Sequence, residues 1–429
     1  MPFSLPVAIK GARSIICSLM KEPLSKRSSK KANPYGIIAI SGMAKEDAKQ
    51  GNEVINGSIG VFLDEGGELG KVEEVRKALS SHICDKLGYP SSLGDKEYLD
   101  AVFSWTFEGY EARIHELYSP FLGSTLGGTG ALYASFNLFL EEGESVLLPD
   151  LMWSNYKLLA ERAKVSHLEY SLFDEEGRFN LASLQEAISS SLEKDGKVIA
   201  LINDPCQNPT GYCLGEEEYD SLFAMLEEEG KKGRLIVLFD IAYLSYRPDL
   251  GSPFKLIEKL AERKAGFLPL LCFSCSKLFG VYGLRSGALI ALCSSEEEKE
   301  SVSEAFSSFA RGTYSCPVGS ANYALSVAMS DPSSRKKILS EIEANRKELE
   351  ARGKTLVKEL DEAGIPHYPY QAGFFLTIKT KKNAYEVFAS LKQKHIYIVP
   401  LSDSLMRIAL SGLTTPGCAS LVKALKEAL

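Results

Sequence analysis

The residues best able to do chemistry lie in the run Ser274-Cys-Ser-Lys277, followed by Tyr282, Arg285 and Gly287. A lysine amine condenses with carbonyls once burial or a neighbouring cation has lowered its pKa. Two serine hydroxyls and a guanidinium fork beside it are good phosphate partners. A solvated loop lysine near a structural arginine is the plainer reading of the same residues. A second candidate is Asp240, which closes the apolar run Leu235–Phe239 and precedes Tyr243. A buried carboxylate there needs a cation or hydrogen-bond donors. A protonated pyridine ring is one such partner, and Tyr243 could donate to a phenolate-like oxygen. An ordinary helix N-cap is the alternative for Asp240.

Two further segments gain meaning only beside these. Asn203-Asp-Pro-Cys-Gln-Asn208-Pro-Thr-Gly211 follows an apolar run and carries turn signals. Gly127-Gly-Thr-Gly130-Ala131 precedes the helix-like stretch Leu132–Leu140. A glycine-rich turn opening a helix leaves backbone N–H groups free for phosphate. No G-x-x-x-x-G-K occurs, which argues against a nucleotide P-loop.

The elements that must position these groups are legible in outline. Ser145–Leu148, Lys197–Ile202, Leu235–Phe239, Leu270–Phe273 and Ala288–Leu292 are short apolar runs. They read as strands of a sheet covered on both faces. Helix-like stretches such as Glu216–Glu229 lie between them, which implies an α/β architecture. Ligands of such sheets sit at the carboxyl ends of strands, where Asp240 and Lys277 fall. Residues 334–363 are charged, with Ile338, Ile342, Leu349, Leu356 and Leu360 at helical spacing. That predicts a long helix leading to a smaller domain with strands near Phe374–Ile378 and Met406–Ala409. The expected division is an N-terminal arm over 1–32, a large domain over 76–330, and a small α+β domain of 33–75 with 331–429.

The chain has 429 residues, enough for two domains. Lys plus Arg number 49 against 56 Asp plus Glu, and this mild acidity argues against a nucleic-acid binder. No apolar run reaches the roughly 18 residues of a membrane span. Nine cysteines without a disulfide-like framework point to a reducing, cytoplasmic setting. Cys272 and Cys275 form a C-x-x-C, but no second pair at zinc-finger spacing exists and the five histidines form no H-x-x-x-H, so these read as buried thiols. The first 32 residues set seven Lys and Arg against one acid, Glu22, and read as a retained basic arm or surface helix rather than a secretory signal.

Taken together, in this order and spacing, the four segments resemble the fold-type I, class I aminotransferases, especially the aspartate aminotransferase branch. The resemblance covers roughly residues 55 to 412. It implies a mostly parallel seven-stranded sheet between helices and pyridoxal 5′-phosphate (PLP) as cofactor. Lys277 then matches the lysine that carries the cofactor as a Schiff base and shuttles the proton. Asp240 pairs with the pyridine nitrogen, and Tyr243 and Asn208 bond the ring 3′-oxygen. Ser274, Ser276, Arg285, Gly128 and Thr129 hold the phosphate. Trp153, in Pro149-Asp-Leu-Met-Trp-Ser-Asn155, resembles the aromatic residue stacked on the ring. Tyr89 resembles the tyrosine that reaches the neighbouring subunit's phosphate, which implies a homodimer with shared sites.

The same resemblance places Arg407, in Met406-Arg-Ile-Ala-Leu-Ser-Gly412, on the substrate α-carboxylate, with Gly60 as a backbone contact to it. Arg311, in Arg311-Gly-Thr-Tyr-Ser-Cys-Pro317, resembles the partner-subunit arginine that binds a side-chain carboxylate. Aspartate, glutamate and their 2-oxo acids are then the natural substrates, by a ping-pong transamination. Aromatic aminotransferases of the branch keep the same arginine. The chain departs from the pattern at Cys316, where the family has asparagine, at Gly127, where it has serine, and at Asn203, Gln207 and Tyr156, where the aspartate branch has histidines. These departures change the surroundings of Asp240. A β-lyase, decarboxylase or cyclopropane-forming synthase on the same fold is the main rival, and a non-enzymatic regulator a lesser one.

Overall fold

The computed structural model describes residues 33–248 and 254–429. The expectation for the 1–32 arm falls outside the described residues. In chain order the strands are β1 (Ile55–Asn56), β2 (Ser119–Leu126), β3 (Ser145–Pro149), β4 (Ser166–Tyr170), β5 (Lys197–Asn203), β6 (Arg234–Asp240), β7 (Leu268–Ser274), β8 (Ser286–Cys293), β9 (Phe375–Lys379), β10 (Ile396–Tyr397), β11 (Val399–Pro400) and β12 (Leu405–Ala409).

β2 to β8 form one seven-stranded sheet in the order β2-β8-β7-β6-β5-β3-β4. β8 runs antiparallel to both its neighbours, and the remaining pairs are parallel. Every residue of β3, β7 and β8 is buried. Alternate side chains of β6 enter opposite cores: Leu235, Val237 and Phe239 one, Ile236 and Leu238 the other. This is why these strands read as unbroken apolar runs rather than as alternating ones.

The sheet's edges explain what the sequence reading missed. β4 is Ser-His-Leu-Glu-Tyr and four of its five residues are exposed, while β2 contains Pro120 and Gly123. Proline cannot donate to a ladder and glycine weakens a strand, so both belong at an edge. The helix expected over Leu132–Leu140 begins earlier and spans Gly127–Phe139. Its opening glycines pack against Ser274 and Arg285, and Gly127 turns the chain at φ 70°.

A second core gathers Ile40, Ala44 and Phe62 with side chains from Leu349 to Ala428. It is built on the antiparallel sheet β11-β12-β9 and the short parallel pair β1-β10. The helix Pro332–Glu362 connects the two cores. Asp331 caps it by accepting from the Ser334 N–H at 2.7 Å, and proline occupies its first position. At 31 residues it is about 46 Å long. Ile338 and Ile342 join the large core, and Leu349, Leu356 and Leu360 the second one. We retain the two-domain division as a proposal that this separation of cores supports, with the helix shared between them. No helix among the described residues is long and apolar enough to cross a membrane.

Candidate active site

Three parallel strands deliver the site from the large core. β5 ends at Asn203 and β6 at Asp240, and these two residues are register partners. β7 ends at Ser274, and one short helix, Cys275–Leu278, presents Lys277. β12 brings Arg407 from the second core, opposite Thr377 of β9. The chemistry therefore lies at the carboxyl ends of the strands, as the sequence reading expects.

The Lys277 amine donates to the Gly60 carbonyl and faces the rings of Tyr282 at 4.6 Å, Phe374 at 5.4 Å and Tyr243 at 5.9 Å. Burial lowers its pKa to about 7, assisted by the charges of Arg407 and Arg285. A good fraction of the amine is then unprotonated and nucleophilic at neutral pH. The backbone at Gly60 passes close to Phe375: a Cβ there would sit 2.4 Å from the ring tip.

Asp240 is 5% exposed, and its burial raises the carboxyl pKa. Two donors work against this: the Tyr156 hydroxyl at 2.6 Å and the Ala242 N–H at 3.1 Å. The Asp240 backbone carbonyl accepts from the Asn203 side chain at 2.9 Å, and Asn203 Oδ1 accepts from the Asn208 N–H at 2.8 Å. Gln207 instead bonds the Leu151 carbonyl at 2.7 Å and the Thr210 hydroxyl at 2.7 Å. Of Tyr156, Asn203 and Gln207, only Tyr156 thus bonds the carboxylate itself, whereas Asn203 holds backbone groups and Gln207 ties Leu151 to Thr210. Tyr243 is buried, which raises its pKa, and the Asn208 side chain bonds it and acts in the opposite direction.

Arg407 is 2% exposed. It donates to the Ser58 carbonyl at 2.6 Å and to Asn208 Oδ1 at 3.4 Å, and its guanidinium lies 4.4 Å from the Phe375 ring centroid. Its Nε has no partner, and among the described residues no carboxylate pairs with it. Burial pulls its pKa down to about 10. A buried cation left without an acid is costly unless a ligand supplies the anion.

At the other end of the crevice Ser274 Oγ accepts from the Ser276 N–H at 3.3 Å. Arg285 donates to Ser276 Oγ at 3.3 Å and to the Tyr282 and Leu126 carbonyls. The first turn of the helix Gly127–Phe139 lies beside them: a Cβ on Gly127 would be 2.7 Å from Arg285 Nη2, and one on Gly128 3.4 Å from Ser274 Cβ. The N–H groups of Gly128 and Thr129 open that helix, with Ser274, Ser276 and Arg285 around them, as a phosphate cradle requires. Trp153 is half-buried and meets Tyr156 edge-on at 5.6 Å.

Two expected residues are not brought into this crevice by their own chain. Tyr89 is 96% exposed. Arg311 is exposed at the end of the helix Glu296–Thr313 and donates only to Ser315 Oγ, at 3.0 Å. Conversely, the sequence reading left out Phe374 and Phe375, whose rings wall Lys277 and Arg407, and gave no role to Tyr282, whose hydroxyl accepts from the Phe62 N–H at 2.9 Å. A Gly-Phe-Phe run on an expected strand was the available signal. Cys272 and Cys275 are fully buried, as expected of core thiols.

A nucleophilic amine, a buried carboxylate and an unpaired buried guanidinium, with a phosphate cradle at one end, define an enzyme site suited to a phosphorylated aldehyde cofactor. The family model described as aminotransferase class I and II matches residues 52–425, and the chain belongs to that family. It is a PLP-dependent aminotransferase, and the residues present fit that cofactor. The aromatic-amino-acid aminotransferase of Escherichia coli (strain K12) is 26% identical over 399 residues, covering 90% of this chain and 96% of that protein. The mitochondrial aspartate aminotransferase of Gallus gallus is 25% identical, covering 78% of each. A crystal structure of an aminotransferase from Anaerococcus prevotii superposes with a TM-score of 0.87 at 27% identity, over 95% of this chain and 99% of that one. A Burkholderia pseudomallei aromatic-amino-acid aminotransferase covalently bound to pyridoxal phosphate has the same fold, with a TM-score of 0.77 at 22% identity, over 95% and 100% of the two chains.

Proposed function

We propose that this enzyme moves an amino group between a dicarboxylic amino acid, aspartate or glutamate, and a 2-oxo acid by a ping-pong mechanism in a homodimer. Lys277, Asp240, Tyr243, Asn208, Ser274, Ser276, Arg285, Gly128, Thr129 and Trp153 would hold the cofactor, joined by Tyr89 from the partner subunit. When bound, PLP supplies an electron sink for the pair left at the substrate Cα. Lys277, poised near pKa 7, would serve as the base that takes the proton from the substrate Cα and as the acid that gives one back. Asp240 would hold a proton on the ring nitrogen. Arg407 and the Gly60 backbone would hold the α-carboxylate and so orient the amino acid toward Lys277. The wall of Phe374 and Phe375 excludes water around that amine and guanidinium.

The observation that carries the binding mode is Arg407, buried and without an acid partner among the described residues. The dicarboxylic assignment rests on Arg311, which is exposed and bonded only to Ser315 within its own chain. Such a guanidinium is free to bind a second carboxylate across a subunit boundary. An aromatic substrate is the second reading, favoured by the two phenylalanines in the wall and by a relative of that name. A half-reaction screen tests both. The PLP enzyme is mixed with single amino acids, and the cofactor absorbance is followed. Aspartate and glutamate should react fastest, and Arg311→Ala should slow them about 100-fold while leaving phenylalanine little changed. Faster reaction with tyrosine or phenylalanine would replace the dicarboxylic reading by the aromatic one.

A further inference from the structure

The loop that carries Asn208 is bracketed by two thiols that the transamination chemistry does not use. Cys206 Sγ and Cys213 Sγ are 3.9 Å apart, and the Cys206 N–H donates to Cys213 Sγ at 3.3 Å. The backbone between them closes as a hairpin. The Gln207 N–H donates to the Tyr212 carbonyl at 2.9 Å, and the Gly211 N–H to the Gln207 carbonyl at 2.7 Å. Residues 206 and 213 therefore flank this turn with their sulfurs in contact, close enough for a small movement to bond them. The pair is asymmetric: Cys206 is fully buried, and Cys213 is partly exposed. The Cys213 N–H donates to Gln371 Oε1 at 3.1 Å, and Cys206 packs against the backbone at Gly373. Gln371 and Gly373 also line a cavity of about 530 Å³ with Tyr246, Leu349, Val357 and Tyr370. Cys213, partly exposed beside Gln371, is the thiol that a small oxidant reaches first.

We propose that Cys206 and Cys213 are a redox-modification site, closing to a reversible disulfide under a peroxide and thereby weakening substrate binding through the Asn208 loop. The Cys213 thiolate attacks one peroxide oxygen, forming an S–O bond. The O–O bond breaks, and the departing hydroxide is protonated to water. The Cys206 sulfur then attacks Cys213 Sγ, the S–S bond forms, and the S–O oxygen leaves as a second water. In balance, two thiols and one peroxide give one disulfide and two waters, and a small dithiol reverses the change. Closure must bring the sulfurs from 3.9 Å to roughly 2.05 Å. Asn208 lies within the ring so closed, and its side-chain oxygen accepts from Arg407 at 3.4 Å. Drawing in the loop disturbs that contact. The coupling to substrate rests on the reading of Arg407 as the α-carboxylate site, whereas the cross-link stands on the thiol geometry alone.

The test treats the PLP-loaded enzyme with hydrogen peroxide, alkylates the remaining thiols, and maps them by mass spectrometry beside steady-state kinetics. The expected result is a peptide spanning both cysteines that has lost two hydrogens, together with a KM increase of roughly threefold or more. Dithiothreitol should reverse both, and Cys213→Ser should show neither. Two alkylatable thiols at 206 and 213, under conditions that oxidise the exposed Cys84, would overturn the site. A cross-link with unchanged KM, or an equal KM increase in Cys213→Ser, would overturn the coupling. Failure of the Arg407 reading shows separately, because Arg407→Ala would then leave KM unchanged in the reduced enzyme.

Discussion

Lys277 illustrates how a buried amine, proposed here as the catalytic one, weakens the fold that holds it. Its amine titrates near 7 in the folded chain, against an ordinary 10.5, because burial and the charges of Arg407 and Arg285 disfavour the ammonium. Between those values the unfolded chain binds more protons than the folded one, so this residue's contribution makes stability rise with pH from about 7 towards 10.5. Below 7 its penalty is fully present. Lys277→Met keeps the stem and removes the charge. The apoprotein should gain on the order of 1–3 kcal/mol at pH 7 in urea denaturation, while turnover disappears. A variant less stable than the parent across pH 6–9 would show that the amine is not strained. Tyr156 acts in the opposite sense on Asp240. Burial pushes that carboxyl up, and the Tyr156 hydroxyl opposes the push. Tyr156→Phe removes the donor and lets the pKa climb. The ionised carboxylate, which exists above its pKa, then persists over a narrower range. The acid limb of the kcat profile should move to higher pH, with kcat at neutral pH falling about 10–100-fold. An unshifted limb would separate Tyr156 from the site.

At the scale of elements, the site is a meeting of strand ends with one strap of backbone, residues 57–70, laid across them. At Gly60 that strap leaves no room for a Cβ against Phe375. Gly60→Ala should push the strap off the ring that also packs on Arg407. KM for the amino acid should rise about 10-fold or more, and thermal stability should fall; unchanged kinetics would mean that the strap yields freely. The sequence makes the strands of this arrangement legible for a physical reason. Buried on both faces, β3 and β5 to β8 leave continuous apolar runs, and the residues that end them stand out as polar. β2 and β4 do not announce themselves, because one holds Pro120 and Gly123 and the other is mostly solvated at the rim. Pairings across the chain are hidden as well. Nothing local in Asn155-Tyr156-Lys157 says that its hydroxyl meets a carboxylate 84 residues later. Nor does Phe375 declare that it will cover an arginine on the next strand of its sheet. The resemblance could name the residues at Tyr156, Asn203 and Gln207, but only the fold shows that the first holds the carboxylate and the other two do not touch it.

For the whole molecule, the question is whether one chain suffices. Tyr89 is 96% exposed, and Arg311 stands exposed at a helix end with Ser315 as its one bonded neighbour among the described residues. In the proposed homodimer both would act on another copy rather than on their own Lys277. A shared site of this kind makes a sharp prediction about mixed dimers. Lys277→Ala removes the amine from a site, and Arg311→Ala removes the guanidinium that, on the proposed reading, each chain would lend to its partner. Neither homodimer should turn over aspartate appreciably. In a hybrid dimer one site inherits both defects, while the other has an intact Lys277 from one chain and an intact Arg311 from its partner. Random co-assembly at equal amounts yields hybrids as half of all dimers, each with one working site of two. Co-expression should therefore restore about one quarter of the parental aspartate activity. If Arg311 instead served its own chain, every hybrid site would lack one group or the other, and the mixture would remain as inactive as its parts.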